Sequence, residues 1–165
     1  MVNSGFRVVA NTAPFRAITP VEDRAIALHF YRLWLDLGVP QDSIQLDWLP
    51  ISLEFIATAR RTLHYQAYVA EVDGIIVGSA SGQLFAGLYP PILTTHHRQY
   101  GYIWGVYVEP AHRNQGIATR LTRLMVDYQK ALGCTKAILN AAPKARSTYQ
   151  KIGFGESNLM ELDLS

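Results

Sequence analysis

With 165 residues, 49% of them apolar and 17% charged, the chain has the composition of one globular domain, which excludes a disordered protein. A net charge of +2 without a Lys/Arg stripe gives no footprint for nucleic acid, and no apolar run approaches the length of a membrane span. The single cysteine, Cys134, excludes an internal disulfide and suits a reducing compartment, so the expected location is cytoplasmic. Flanked by Gly133 and a strand pattern, it reads as a small buried hydrophobe rather than a nucleophile.

Residues 1–13 read as an N-terminal lead-in and residues 14–165 as a single domain; the first twenty residues hold no continuous apolar stretch of the kind a signal peptide needs. Phe15-Arg16-Ala17-Ile18 alternates as a short strand. Thr19, Pro20 and Glu22 then spell a helix start: a capping residue, a proline at the first helical position and a capping-box acid. Ile26, Phe30, Leu33, Trp34 and Leu37 recur at helical spacing up to Gly38. A second helix is predicted from Ser52 to about His64, with Arg60-Arg61 on a solvated face. Tyr65–Glu71 and Ile75–Ser81 read as two strands of a hairpin turned at Asp73-Gly74.

Residues 84–100 form a long loop, a kind of segment that is often functional. Its adjacent His96 and His97 lack metal-ligand spacing and an acidic or Cys partner, so no metal is expected. Gly101–Val108 is predicted as a central strand. A helix from Gly116 to about Leu132 follows, with Ile117, Leu121, Leu124, Met125, Tyr128 and Leu132 on one face. Lys136–Asn140 reads as a strand, Lys144–Ile152 as a short helix and Leu159–Leu164 as a last strand. Among the remaining residues, His112 is expected to be exposed, His29 and His64 to lie on helix surfaces or in packing, and Trp34, Trp48 and Trp104 to be core or pocket wall. The order is mixed α/β, containing both a hairpin and a strand-helix-strand unit.

The most informative stretch runs from Val106 to Ala118. A strand ends at Pro110, and a tight turn feeds straight into a helix whose first N–H groups have no partner and sit at its positive end. Such an end accepts anions, and the small Gly116 and Ala118 would let a pyrophosphate approach the backbone beside Arg113. Arg-x-x-Gly-x-Ala is weak alone, and an ordinary strand-to-helix connection would look the same. It is neither the dinucleotide fingerprint nor a P-loop.

Three blocks in order narrow the reading. Val108, Pro110, Arg113, Gly116, Ile117, Ala118 and Leu121 resemble the acetyl-CoA-binding motif of the GNAT acetyltransferase superfamily. Ala70–Gly78 is similar to that family's second and third strands, and Tyr149-Gln150-Lys151-Ile152-Gly153-Phe154 to its Tyr-x-x-x-Gly-Phe segment. The resemblance implies a central, mixed but mostly antiparallel sheet flanked by helices, and transfer of an acetyl group from acetyl-CoA to a primary amine of a small molecule or peptide, with no metal. A homodimer is compatible with it.

It further implies that the main chain at Val106 and Val108 meets the acetyl and pantetheine part, and that Arg113, Asn114, Gln115, Gly116, Ile117 and Ala118 hold the phosphates. Asn140 would bond the pantetheine arm, and Tyr149 would act as general acid. By its spacing with Ala145 and Ile152, Tyr149 could equally be a packed aromatic. Glu109, at the strand end beside the expected thioester, is either the general base or an exposed turn carboxylate. The segments without a motif, residues 20–64 and 84–100, are left to build the acceptor pocket. The other functional class open at this point is a non-catalytic acetyl-CoA sensor or interaction module.

Overall fold

A computed structural model describes residues 14–87 and 89–164 of the chain; the lead-in expected for residues 1–13 lies outside them. In chain order the elements are β1 (Phe15–Ala17), α1 (Asp23–Asp36), α2 (Trp48–Thr62), β2 (Gln66–Val72), β3 (Ile75–Leu84), β4 (Tyr100–Val108), α3 (Ile117–Ala131), β5 (Lys136–Leu139) and α4 (Arg146–Gln150). One turn of 3-10 helix, Pro20–Glu22, leads into α1, and the Glu22 carboxylate accepts the Thr19 N–H at 2.9 Å as the capping pattern requires. Asp73 and Gly74 both take positive φ, 51° and 77°, the geometry of a two-residue hairpin turn between right-twisted strands.

The strands lie in the order β1-β2-β3-β4-β5. The first three pairings are antiparallel and β4–β5 is parallel, so the last connection needs a crossover, which α3 provides. This is the mixed, mostly antiparallel sheet expected from the sequence. One face packs on α1 and α2 through Ile18, Ile26, Ile56, Tyr65 and Val69; the other packs on α3 through Ala70, Val77, Ala80, Ile117 and Leu121. Two strand glycines let α3 sit close. A Cβ at Gly82 would lie 2.3 Å from Met125 Sδ, and one at Gly101 would lie 2.2 Å from Gln129 Cδ. The amide of Gln129 is buried there without a hydrogen-bond partner.

Four details depart from the sequence reading. Helix α2 begins at Trp48, four residues before Ser52, because Pro50 falls in its first turn, where no N–H is required. Residues 159–164 form no strand; Met160, Leu162 and Leu164 are 93%, 83% and 92% exposed, so the alternating pattern supplies a face but finds no strand to pair with. Arg60 is not simply solvated, since it donates to Asp23 and lies over the Tyr65 ring, 5.0 Å from its centroid. Cys134 is half-buried rather than buried, and burial raises its thiol pKa.

Candidate active site

The site begins with one glycine. Gly105 takes φ +62°, and the β3–β4 register slips there: Ser79 faces Tyr107 while Ser81 faces Trp104. The extra residue is a β-bulge, and it reverses the side-chain alternation of β4. Before it, Trp104 points to the α1–α2 face, against Phe30 and Phe55. Beyond it, Val106 and Val108 point toward α3 and Tyr107 toward α1. Pairing with β5 ends at Ile103–Leu139, so β4 from Trp104 onward and the chain after Leu139 diverge as a fork. A cavity of about 110 Å³ lies in it, lined by Leu33, Leu37, Trp104, Val106, Asn140 and Tyr149 among others.

Tyr149 reaches this cavity because the segment after α4 folds back. Gly153 takes φ +109°, Phe154 N–H donates to the Tyr149 carbonyl at 3.1 Å, and the two rings meet edge to face at 6.0 Å. The ring is 9% exposed, and burial raises the phenol above its ordinary pKa of 10.0, so it carries its proton at neutral pH. Asn140 Nδ2 donates to the Tyr102 hydroxyl at 3.2 Å at the lip of the fork.

The turn from β4 to α3 lies at the other end of β4. Pro110–His112 make one 3-10 turn, after which Asn114 (φ 61°) and Gly116 (φ 78°) adopt left-handed backbone. Gly116 is the N-cap of α3, and nothing lies within 4 Å of where its Cβ would stand. No side chain caps α3, so the N–H groups of its first turn are without a capping partner, as an anion site requires. The Arg113 side chain is turned back: Nε donates to the Val108 carbonyl at 2.8 Å and the guanidinium pairs with Asp36 at the end of α1. It braces the turn rather than standing free beside the N–H groups.

Glu109 is not in the fork. Its N–H continues the ladder to Val77 O at 2.8 Å, so its side chain projects opposite to that of Val108, onto the α1 face. There it pairs with Arg32, and it lines a second groove of about 740 Å³ beside the β2–β3 turn. Glu109 and Tyr149 therefore line different cavities. His96 and His97 are exposed, and no group of metal-ligating side chains occurs among the described residues.

A residue that the sequence reading left on a helix surface or in packing organises the Glu109 side. His29 is 3% exposed, its Nδ1 lies 2.9 Å from the hydroxyl of the fully buried Ser79, and its Nε2 faces Glu109 at 3.5 Å. The spacing Ile26-His29-Leu33, three and four residues apart on one helical stripe, was the signal for burial. Burial lowers the His29 pKa to about 4, so the ring is neutral and its approach to Glu109 is no ion pair at neutral pH. A depressed histidine pKa means that between about pH 6.5 and 4 the unfolded chain binds the extra proton. Stability is therefore full above that window and falls as pH drops through it, by on the order of 3 kcal/mol. Urea denaturation at pH 7 and pH 4.5 is expected to show this loss, and His29→Asn, which preserves a partner for Ser79, to shrink it. An unchanged pH slope in His29→Asn would assign the loss to other groups.

Comparison with known proteins agrees with this geometry. Residues 30–154 match the family model described as the acetyltransferase (GNAT) family. A glucosamine 6-phosphate N-acetyltransferase of Trypanosoma brucei brucei is 32% identical over 117 residues, 69% of this chain and 76% of that protein. An L-methionine sulfoximine/L-methionine sulfone acetyltransferase of Salmonella typhimurium is 28% identical over 150 residues, 88% of this chain and 77% of that one. A predicted acetyltransferase of Clostridium acetobutylicum, solved with acetyl-CoA, superposes with a TM-score of 0.78 at 24% identity over 92% of this chain and 96% of its own. The forked strand, the open helix end and a family match over most of the chain lead to one conclusion: this protein belongs to the GNAT acetyltransferase family and is an N-acetyltransferase.

Proposed function

We propose that the protein moves the acetyl group of acetyl-CoA to a primary amine inside the β4–β5 fork. The observation that carries this is the common cavity of Val106, Asn140 and Tyr149, on the strand that runs on to the open N-terminus of α3. The pyrophosphate is held by the N–H groups from Asn114 to Ala118, with Arg113 keeping the turn in shape. The pantetheine arm lies along Val106 and Val108, in place of the missing β5 partner, with Asn140 at the lip.

The neutral amine attacks the thioester carbonyl carbon, and a main-chain N–H of β4 freed by the splay supports the oxygen as charge develops. The C–S bond breaks, and the Tyr149 hydroxyl gives its proton to the sulfur. The proton leaving the amine nitrogen passes to solvent, from which Tyr149 is reprotonated. Glu109 has a supporting role, tying the strand end to α1 through Arg32.

Thiol release from acetyl-CoA over a panel of primary amines tests the reading. Amine-dependent release with formation of the N-acetyl product is expected. Tight acetyl-CoA binding with no release for any amine would make the protein a binding module instead.

A further inference from the structure

On the side facing α1 the fork is apolar, lined by Leu33, Leu37 and Trp104, and behind Trp104 lies an aromatic cluster. Trp104, the last residue before the bulge, lines the cavity with Tyr149, and its ring meets Phe30 at 5.1 Å and Phe55 at 5.6 Å, both edge to face. Phe30 in turn meets Trp34 at 5.8 Å. Half-buried at Trp104 and Phe30, this cluster reaches the surface at Trp34 and Phe55, which are 43% and 51% exposed. Apolar surface left open beside a cavity, and continuous with it, is the form a ligand-binding wall takes.

Charge is missing from the same place. No acidic or basic side chain lines the fork. Arg32, Arg60 and Arg113 are already engaged, with Glu109, Asp23 and Asp36 respectively. A phosphate or carboxylate drawn into this space would lose its water without gaining a partner, and a row of sugar hydroxyls would find few acceptors. With no base in the fork, the acceptor must also supply its amine already neutral. An α-amino group, with a pKa of about 7.7–8.0, does so far more readily than an alkylamine near 10.4.

Resting on the fork as the site of acetyl transfer, we propose that the acceptor is the α-amino group of an aromatic amino-acid amide or peptide N-terminus, its ring seated against Trp104, Phe55 and Trp34. Phenylalaninamide, glycinamide, methionine sulfone, glucosamine 6-phosphate and kanamycin are compared as acceptors at saturating acetyl-CoA. Phenylalaninamide is expected to show a kcat/KM at least tenfold above glycinamide, which has the same amine and no ring, and above the three polar amines. Phe55→Ala and, separately, Trp34→Ala are expected to raise its KM severalfold while kcat and the KM for acetyl-CoA stay near wild type; two surface positions guard against one variant failing to fold.

Preference for glucosamine 6-phosphate, kanamycin or methionine sulfone would overturn the acceptor class and leave acetyl transfer standing. Acetyl-CoA binding without thiol release for any amine would overturn both. Sedimentation closes the remaining case: a dimer that Phe55→Arg dissociates, with Phe55→Ala leaving the acceptor KM unchanged, would make the aromatic face an interface between copies and overturn the proposal.

Discussion

Replacing Tyr149 by Phe is expected to lower kcat by about a hundredfold or more, with acetyl-CoA affinity and the thermal midpoint almost unchanged. The substitution keeps the ring that packs edge to face on Phe154 and removes only the hydroxyl. A structural role would therefore show in the melting temperature, and a chemical role in turnover alone. The pH profile adds a second readout. Because burial raises the phenol above 10.0, the acid form persists through the alkaline assay range, so wild-type kcat is expected not to decline below about pH 10. Its rising limb follows deprotonation of the acceptor amine. Turnover by Tyr149→Phe within a factor of two of wild type would return Tyr149 to packing.

The parts of this fold that the sequence made legible are those written in local chemistry. Asp73-Gly74 states a hairpin turn because two consecutive left-handed residues are tolerated by few other pairs. The spacing of Ile117, Leu121 and Met125 states which face of α3 is buried, and all three are buried. What stayed hidden depends on contacts between distant residues. Gly105 sits in an apolar run and reads as ordinary strand; only its pairing with β3 shows that it reverses the alternation of β4. Glu109 could be placed at a strand end but not on a face, because that depends on the bulge four residues earlier and on Arg32, 77 positions away. The alternation in residues 159–164 looked like the other strands, yet a strand exists only where another edge accepts it.

Helix α1 connects the two halves of the proposed site. Its last turns contribute Leu33 to the cavity in the fork, and Asp36, which holds the Arg113 guanidinium at the turn before α3. Leu37, just past its end, lines the fork as well. In the proposed reading, one rigid element thus sets both the acceptor wall and the loop that would position the pyrophosphate. A shift of α1 would be felt at both ends of the cofactor, which is how placement of the acetyl carbon relative to Tyr149 comes to depend on residues with no chemical role of their own.

A comparable effect, on binding rather than turnover, is expected at Gly116, where Gly116→Glu should weaken acetyl-CoA binding by at least about a hundredfold in a protein that still folds. Nothing lies within 4 Å of the position a Cβ would take, so the substitution meets no clash at Cβ, and its longer side chain is expected to reach the space assigned to the pyrophosphate. Its carboxylate would satisfy the free N–H groups at the start of α3 and repel the phosphates that need them. The φ of +78° adds a backbone cost of about 1–2 kcal/mol, which any side chain incurs. Gly116→Ala carries that same cost without the charge or the reach, and so separates the two effects. Titration calorimetry is expected to find near wild-type acetyl-CoA affinity in Gly116→Ala and none measurable in Gly116→Glu. Equal losses in both variants would trace the effect to backbone strain, and undiminished binding by folded Gly116→Glu would remove the pyrophosphate from this end of α3.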